Sequence, residues 1–288
     1  MSGIERYVAP RTLAEAAELM RGGNVTVLAG GTDLMPQTQS GKVRFQPLLM
    51  NIRRVPEMAG ISESGGVIRI GALATITELL ESDLVRSRLN VLWQSCDHFA
   101  SDQLRNSATL GGNICNASPA GDTLVPLLVL DAEVTLASKP DGALVTRTLA
   151  LPKFLVGPGH TARTPGELLT GVRIAAPPQG FRAEFYKLGT RPALDIAAIS
   201  IGVGAVRSGG RLRDVRIAFG AVAPTPIRAP KTERILEGHP LNDELVEAAL
   251  ECVQAEIHPI SDLRATDWYR REMVRNILRR MLAHDGDG

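Results

Sequence analysis

The chain has 288 residues, of which 44% are hydrophobic and 22% charged, with a net charge of +1. That length supports a sizeable core and more than one domain, and the near-neutral charge leaves no electrostatic footprint for a nucleic-acid or membrane partner. Cys96, Cys115 and Cys252 form no C-x-x-C pair, which argues against a disulfide framework or a four-cysteine metal site and fits a reduced, cytoplasmic protein. The N-terminus has no apolar signal core, and no stretch approaches the ~20 consecutive apolar residues of a membrane span.

In chain order, Thr12 and Glu15 form a capping-box pattern ahead of a short helix. "NVTVLAGGTDLM" predicts a strand over Val25 to Leu28 that runs into a glycine turn. "LLMNIRRVPEM" predicts another short strand, broken at Pro56. Residues 58–176 form a second section. Val67 to Ile70 alternates like a strand, and Thr75 with Glu78 signals a second capped helix. The helical pattern continues through "LNVLWQSCDHFASDQL" and is lost in "NSATLGGNICNASPAGD". The apolar run Leu124 to Leu130, interrupted by Pro126, follows at once. Asp141-Gly142 signals a hairpin, and "GELLTGVRIAAPP" a strand closed by two prolines. From residue 177 the texture becomes a strand meander with Gly-rich turns, then two helices. The last helix sets Val274, Ile277 and Met281 on one face and Arg270, Arg271, Arg275, Arg279 and Arg280 opposite. That basic stripe is either a solvated face or a docking surface. Strand clusters with separate helices indicate an α+β fold.

Two double-glycine segments carry the chemistry. In "VLAGGTDL" a strand feeds Gly30 and Gly31, so the backbone can turn sharply and approach a ligand without a Cβ in the way. Successive free N–H groups in such a turn make an anion-binding concavity. An ordinary strand-to-helix turn is the competing reading, with Asp33 as a helix cap. Neither the P-loop nor the Rossmann fingerprint is present. In "ATLGGNICNASPAGD", Thr109, Gly111, Gly112, Asn113, Asn116 and Ser118 offer small or hydrogen-bonding groups. Asp122 suits ribityl or ribose hydroxyls better than phosphate.

"AGGTDL", then "ATLGGNICNASPAGD" about 75 residues later, then "YKLGTRPALDIAAISIGV" at residues 186–203, resemble the FAD-binding (medium) subunit of the molybdenum hydroxylases. That family comprises the carbon monoxide dehydrogenase medium chain and the FAD domain of xanthine dehydrogenase. The resemblance implies a two-subdomain FAD-binding fold (PCMH-type) over residues 1–57 and 58–176. A C-terminal domain of the carbon monoxide dehydrogenase flavoprotein type would occupy 177–288. It implies that Val27, Leu28, Ala29, Gly30, Gly31, Thr32, Asp33 and Leu34 wrap the FAD pyrophosphate. Thr109, Gly111, Gly112 and Asn113 would supply a second contact set, and Asp122 would bind the polar part of the cofactor. Phe99 would lie near the flavin ring, Leu169 near the adenine end, and Lys187 at the flavin. Phe99 and Leu169 read equally as core residues, and Lys187 and Arg191 as surface charges. Pro192 stands where some relatives place a flavin-stacking tyrosine, so no stacking is expected there. By the same resemblance, the molybdenum cofactor and two [2Fe–2S] clusters sit on partner subunits. These would be a small iron–sulfur and a large molybdenum chain, in a dimer of heterotrimers. This chain would then carry no catalytic acid or base and no metal. A free-standing FAD-dependent oxidase and a flavin-free assembly subunit are the alternatives.

Overall fold

The computed structural model describes residues 3–191 and 194–284. The first section holds β1 (Arg6–Val8), α1 (Leu13–Arg21), β2 (Val25–Leu28), α2 (Leu34–Gln39) and β3 (Leu48–Asn51). Its strands form a parallel sheet in the order β1-β3-β2. Thr12 caps α1 by accepting the Glu15 N–H, but the Glu15 carboxylate turns back to the N–H of Arg11 rather than of Thr12. This box is therefore displaced by one residue.

The second section holds β4 (Ile61–Ser64), β5 (Val67–Gly71), α3 (Ile76–Glu81), α4 (Asp83–Arg88), α5 (Asn90–Asp97), α6 (Asp102–Arg105), α7 (Leu110–Asn116) and α8 (Leu124–Val129). It continues with β6 (Glu133–Ser138), β7 (Val145–Ala150), α9 (Leu151–Phe154), β8 (Leu155–Gly157), β9 (His160–Thr161) and β10 (Leu168–Ala175). At α3 the Thr75–Glu78 box is complete. The Asp141-Gly142 turn joins β6 to β7 as an antiparallel hairpin, with Gly142 at φ +82°. The five-stranded sheet has the order β4-β5-β10-β6-β7, so the last strand fills the centre. One hydrophobic core serves both sections. It runs from Ala16, Met20 and Met50 through Ile68, Leu92 and Leu110 to Val134.

The third section holds β11 (Phe181–Leu188), β12 (Ile199–Ser208), β13 (Arg211–Gly220), β14 (Ile227–Arg228), α10 (Pro230–Leu236), α11 (Asp243–Glu256) and α12 (Asp267–His284). The strands form the expected antiparallel meander. One sheet face carries Ile199, Ile201, Ile217 and Phe219 into a second core with the three helices. The opposite face meets α8, in which every residue is buried. Small residues on β12 and β13 allow this approach. A Cβ on Gly202 would lie 2.8 Å from Val129 Cγ2 and 3.1 Å from Val125 Cγ1. Two guanidiniums from the same sheet close the far end of α8. Arg216 Nη1 donates to Val129 O at 3.2 Å and Arg228 Nη1 to Leu128 O at 3.1 Å. Cations at a helix C-terminus satisfy its orphan carbonyls and complement its dipole. Gly202→Val is expected to overpack this seam at a cost of about 1–3 kcal/mol, measured as a lower Tm of the full chain. An unchanged Tm would show that the sheet does not rest on α8 this closely.

The basic stripe on α12 is tied into the chain while Arg279 and Arg280 stay exposed to solvent. Arg270 is 3% exposed, donating to Ile260 O and Asp262. Arg271 donates to Gln254 O and Ile257 O at the end of α11. Arg275 and Arg279 share Glu247, and Arg280 lies over the Tyr186 ring, 4.5 Å from its centroid. The stripe fastens α12 to α11 and to the sheet.

Candidate functional site

The two glycine motifs meet. A Cβ on Gly30 would fall 1.9 Å from Ser107 O and 3.2 Å from Ala108 Cα, so the first glycine turn rests directly on the backbone that leads into α7. A second tie joins α2 to the C-terminal end of α7. There Gln37 Nε2 of α2 donates to Asn116 Oδ1 of α7 at 2.9 Å.

Between β2, which includes Val27 and Leu28, and α2, which begins at Leu34, the backbone turns at Gly31 with φ +76°, a conformation that favours glycine. Among the described residues, the N–H groups of Ala29, Gly30, Gly31, Thr32, Asp33 and Leu34 make no hydrogen bond. Six consecutive free donors at a tight turn are backbone of the kind that can bind an anion. Asp33 occupies the N-cap position of α2 but makes no capping hydrogen bond, so the cap reading of this residue fails.

The second motif is built differently. It is not a loop: Thr109 is the N-cap of α7, and Gly111 and Gly112 lie in its first turn. Gly111 N donates to Ala72 O, and Gly112 N to Thr109 Oγ1. Leu110 N and Asn113 N are likewise bonded, to Ala74 O and Thr109 O. The backbone donors of this turn are therefore engaged inside the protein, and the motif presents side chains and bare Cα surface instead. A Cβ on Gly111 would lie 2.6 Å from Ala72 Cβ and 2.7 Å from Ala72 O, whereas one on Gly112, which is exposed, would meet only Thr109 Oγ1. Asn113 Oδ1 accepts from Thr123 Oγ1 at 2.7 Å, joining α7 to the start of α8.

Asp122 precedes α8 and is the polar centre of the site. Its Oδ2 accepts from Lys187 Nζ at 2.9 Å, and the pair is nearly buried, at 14% and 8% exposure. Its Oδ1 is buried without a partner among the described residues. Burial pushes this carboxyl above its usual range, and the Lys187 ammonium pulls the other way. Lys187 is thus not a solvated strand residue. It lies on β11 and also donates to His98 O at 3.2 Å. Beneath them Cys96 is fully buried, and burial pushes its thiol up.

The remaining candidates take other places. Phe99, half-buried just after α5, packs against the core. Leu169 is a core residue at an irregularity of β10 and is buried. Arg191 donates to Leu194 O within its own loop. That loop is held by the Asp195 carboxylate, which accepts from Thr190 Oγ1 at 2.9 Å and Arg191 N at 3.2 Å. Pro192 lies outside the described residues. Ser107, Ala72, Gln37 and the His98 carbonyl were not singled out from the sequence. Their parts are backbone approach and bridging, for which residue type gives no signal. No cluster of three His, Cys, Asp or Glu side chains converges among the described residues. No described helix is long and apolar enough to cross a membrane.

A donor-lined glycine turn and a glycine-led helix, brought together from two sections and faced by a third sheet, define a chain of the two-subdomain FAD-binding class. The chain belongs to the family described as the FAD binding domain in molybdopterin dehydrogenase, which matches residues 2–177, and its residues 184–284 match the CO dehydrogenase flavoprotein C-terminal domain. It is 33% identical to the glyceraldehyde dehydrogenase medium chain of Sulfolobus acidocaldarius, over 93% of this chain and 94% of that one. It is 32% identical to the carbon monoxide dehydrogenase medium chain of Hydrogenophaga pseudoflava, over 96% and 95%. Its fold superimposes on carbon monoxide dehydrogenase from Hydrogenophaga pseudoflava with a TM-score of 0.91 at 30% identity, covering 97% of this chain and 96% of that one. The α+β, FAD-binding and oxidoreductase readings of the sequence stand.

Proposed function

We propose that this chain holds FAD in the cleft between residues 1–57 and 58–176, with 177–288 as the closing domain, inside a molybdenum hydroxylase complex. The free N–H groups of Ala29 to Thr32 would receive the pyrophosphate. Val27, Leu28, Asp33 and Leu34 frame that turn. Thr109, Gly111, Gly112 and Asn113 form the facing wall, and the unfilled Asp122 Oδ1 accepts a hydroxyl of the polar chain. Phe99 borders the flavin ring, and Leu169 backs the adenine end from the core. The site residues fit the cofactor on two counts: the turn at residues 29–34 leaves a run of backbone donors free for phosphate, and the Asp122 carboxylate keeps one buried oxygen without a donor for a hydroxyl.

FAD, when bound, would supply electron transfer between the two [2Fe–2S] clusters expected on a small partner subunit and an external acceptor. The chain's own residues bind, orient and shield it. The molybdenum cofactor would be held by a large subunit, in a cytoplasmic dimer of heterotrimers. The observation that carries this reading is the direct contact of the two glycine motifs at Gly30 and Ser107. Purification with co-expressed neighbouring subunits is expected to give a yellow complex, with about one FAD released per copy of this chain. A colourless complex indifferent to added FAD would overturn the reading.

A further inference from the structure

Lys187 and Asp122 come from different domains, and no feature of either local sequence requires them to meet. Lys187 points from the end of β11 across the seam, and two of its three N–H donors are occupied by Asp122 Oδ2 and His98 O. A lysine so engaged, 8% exposed, has little left to offer a ligand. The partner carboxylate is held by one oxygen and open at the other. A carboxylate alone would repel a dinucleotide polyanion and would be costly to bury. Paired, it is a neutral group that presents one fixed acceptor.

Resting on the FAD reading of this site, we propose that Lys187 is a positioning residue. It aims and neutralises the Asp122 carboxylate, so that FAD retention depends on the C-terminal domain being docked. The rest of the seam supports this dependence. Ser200, directly opposite Lys187 in the β11–β12 pairing, and Gly220, opposite Ser200 on β13, continue the row across the sheet. A Cβ on Gly220 would lie 3.0 Å from Val125 Cγ2 and 3.4 Å from Pro119 O, in the segment that carries Asp122. Ser95 Oγ holds the Asp122 carbonyl from the other side at 2.7 Å. The backbone of Asp122 is thus set by its own domain, and the direction of its carboxylate by the other.

The test is a double-mutant cycle read by FAD affinity, in full chains stripped of cofactor and titrated with FAD while flavin fluorescence is followed. Lys187→Met is expected to weaken binding at least tenfold and Lys187→Arg to restore most of the loss. Asp122→Asn is expected to weaken it as well. Adding Lys187→Met to Asp122→Asn should weaken binding no further, because a residue that acts only through Asp122 has nothing left to position. Losses that multiply in the double variant would mean that Lys187 meets the cofactor independently, and a Lys187→Met chain with unchanged affinity would remove its role; either result overturns the proposal. Circular dichroism of each variant confirms folding. Failure of the unaltered chain to bind FAD would instead remove the reading on which the proposal rests.

Discussion

Gly30→Ala is expected to abolish FAD retention and to lower Tm by roughly 5–10 °C. The new methyl would have to occupy a point 1.9 Å from Ser107 O and 2.7 Å from its carbonyl carbon. Both are backbone atoms, and the adjoining backbone is itself anchored: Ile76 N donates to Ala108 O, and Leu110 N to Ala74 O. A side chain could rotate away, but this backbone can move only if the two sections part. Separation would stretch the Gln37–Asn116 bridge and widen the cleft at its closest point. Small-to-large changes against fixed surroundings cost about 1–3 kcal/mol and more when backbone is displaced. Affinity should fall by at least about a hundredfold, which corresponds to ~2.7 kcal/mol. Released flavin per chain and thermal melting are the measurements. A Gly30→Ala protein with normal flavin content and Tm would show that the two motifs do not touch.

Much of the fold could be read from local chemistry. The capped helix at Thr75, the hairpin at Asp141-Gly142 and the β11–β13 meander each depend on neighbours in the chain. What escaped depends on distant partners. The strand β10 enters the centre of its sheet between β5 and β6, an order set by packing rather than by any residue in β10. The sequence of α7 is rich in Gly and Asn, poor helix formers. It is helical because Thr109 caps it and because Gly111 seats it on Ala72. In α8, Pro126 falls in the first turn, where no N–H partner is required, so the proline that interrupts the pattern does not interrupt the helix. The ties of the α12 arginines escaped because their partners, Glu247, Asp262 and the end of α11, lie outside that helix or are backbone carbonyls.

The same limit applies to the site. Both motifs contain a glycine pair, and composition alone suggests one role for both. Geometry separates them. Gly30–Gly31 opens a run of free donors, while the Gly111–Gly112 donors are consumed within the protein. Donor presentation and wall-building are divided between two similar strings of residues. Asp122 was legible as a hydrogen-bonding group. Its pairing with Lys187 was not, because the two are 65 residues apart and in different domains.

Gly111 and Gly112 therefore make opposite predictions, although they are adjacent. Gly111→Val would drive its Cβ to within 2.6 Å of Ala72 Cβ and 2.7 Å of Ala72 O in a fully packed region. Valine at that site is expected to unfold or grossly destabilise the chain, with cofactor loss as a secondary effect. Gly112→Val meets only Thr109 Oγ1, at 2.9 Å, and otherwise enters open space at an exposed position. Its cost to the fold is a strained cap, on the order of 0.5–2 kcal/mol. If that open space is where FAD lies, the isopropyl group occupies it. Affinity should then fall by at least about a hundredfold, or ~2.7 kcal/mol, in a protein that still melts cooperatively. Gly112→Ala should give a smaller loss in the same direction, because its single methyl intrudes less. The discriminating result is a folded Gly112→Val chain that binds no FAD beside a Gly111→Val chain that does not fold. A folded Gly112→Val chain with unaltered FAD affinity would place the cofactor elsewhere and leave α7 as a purely structural wall.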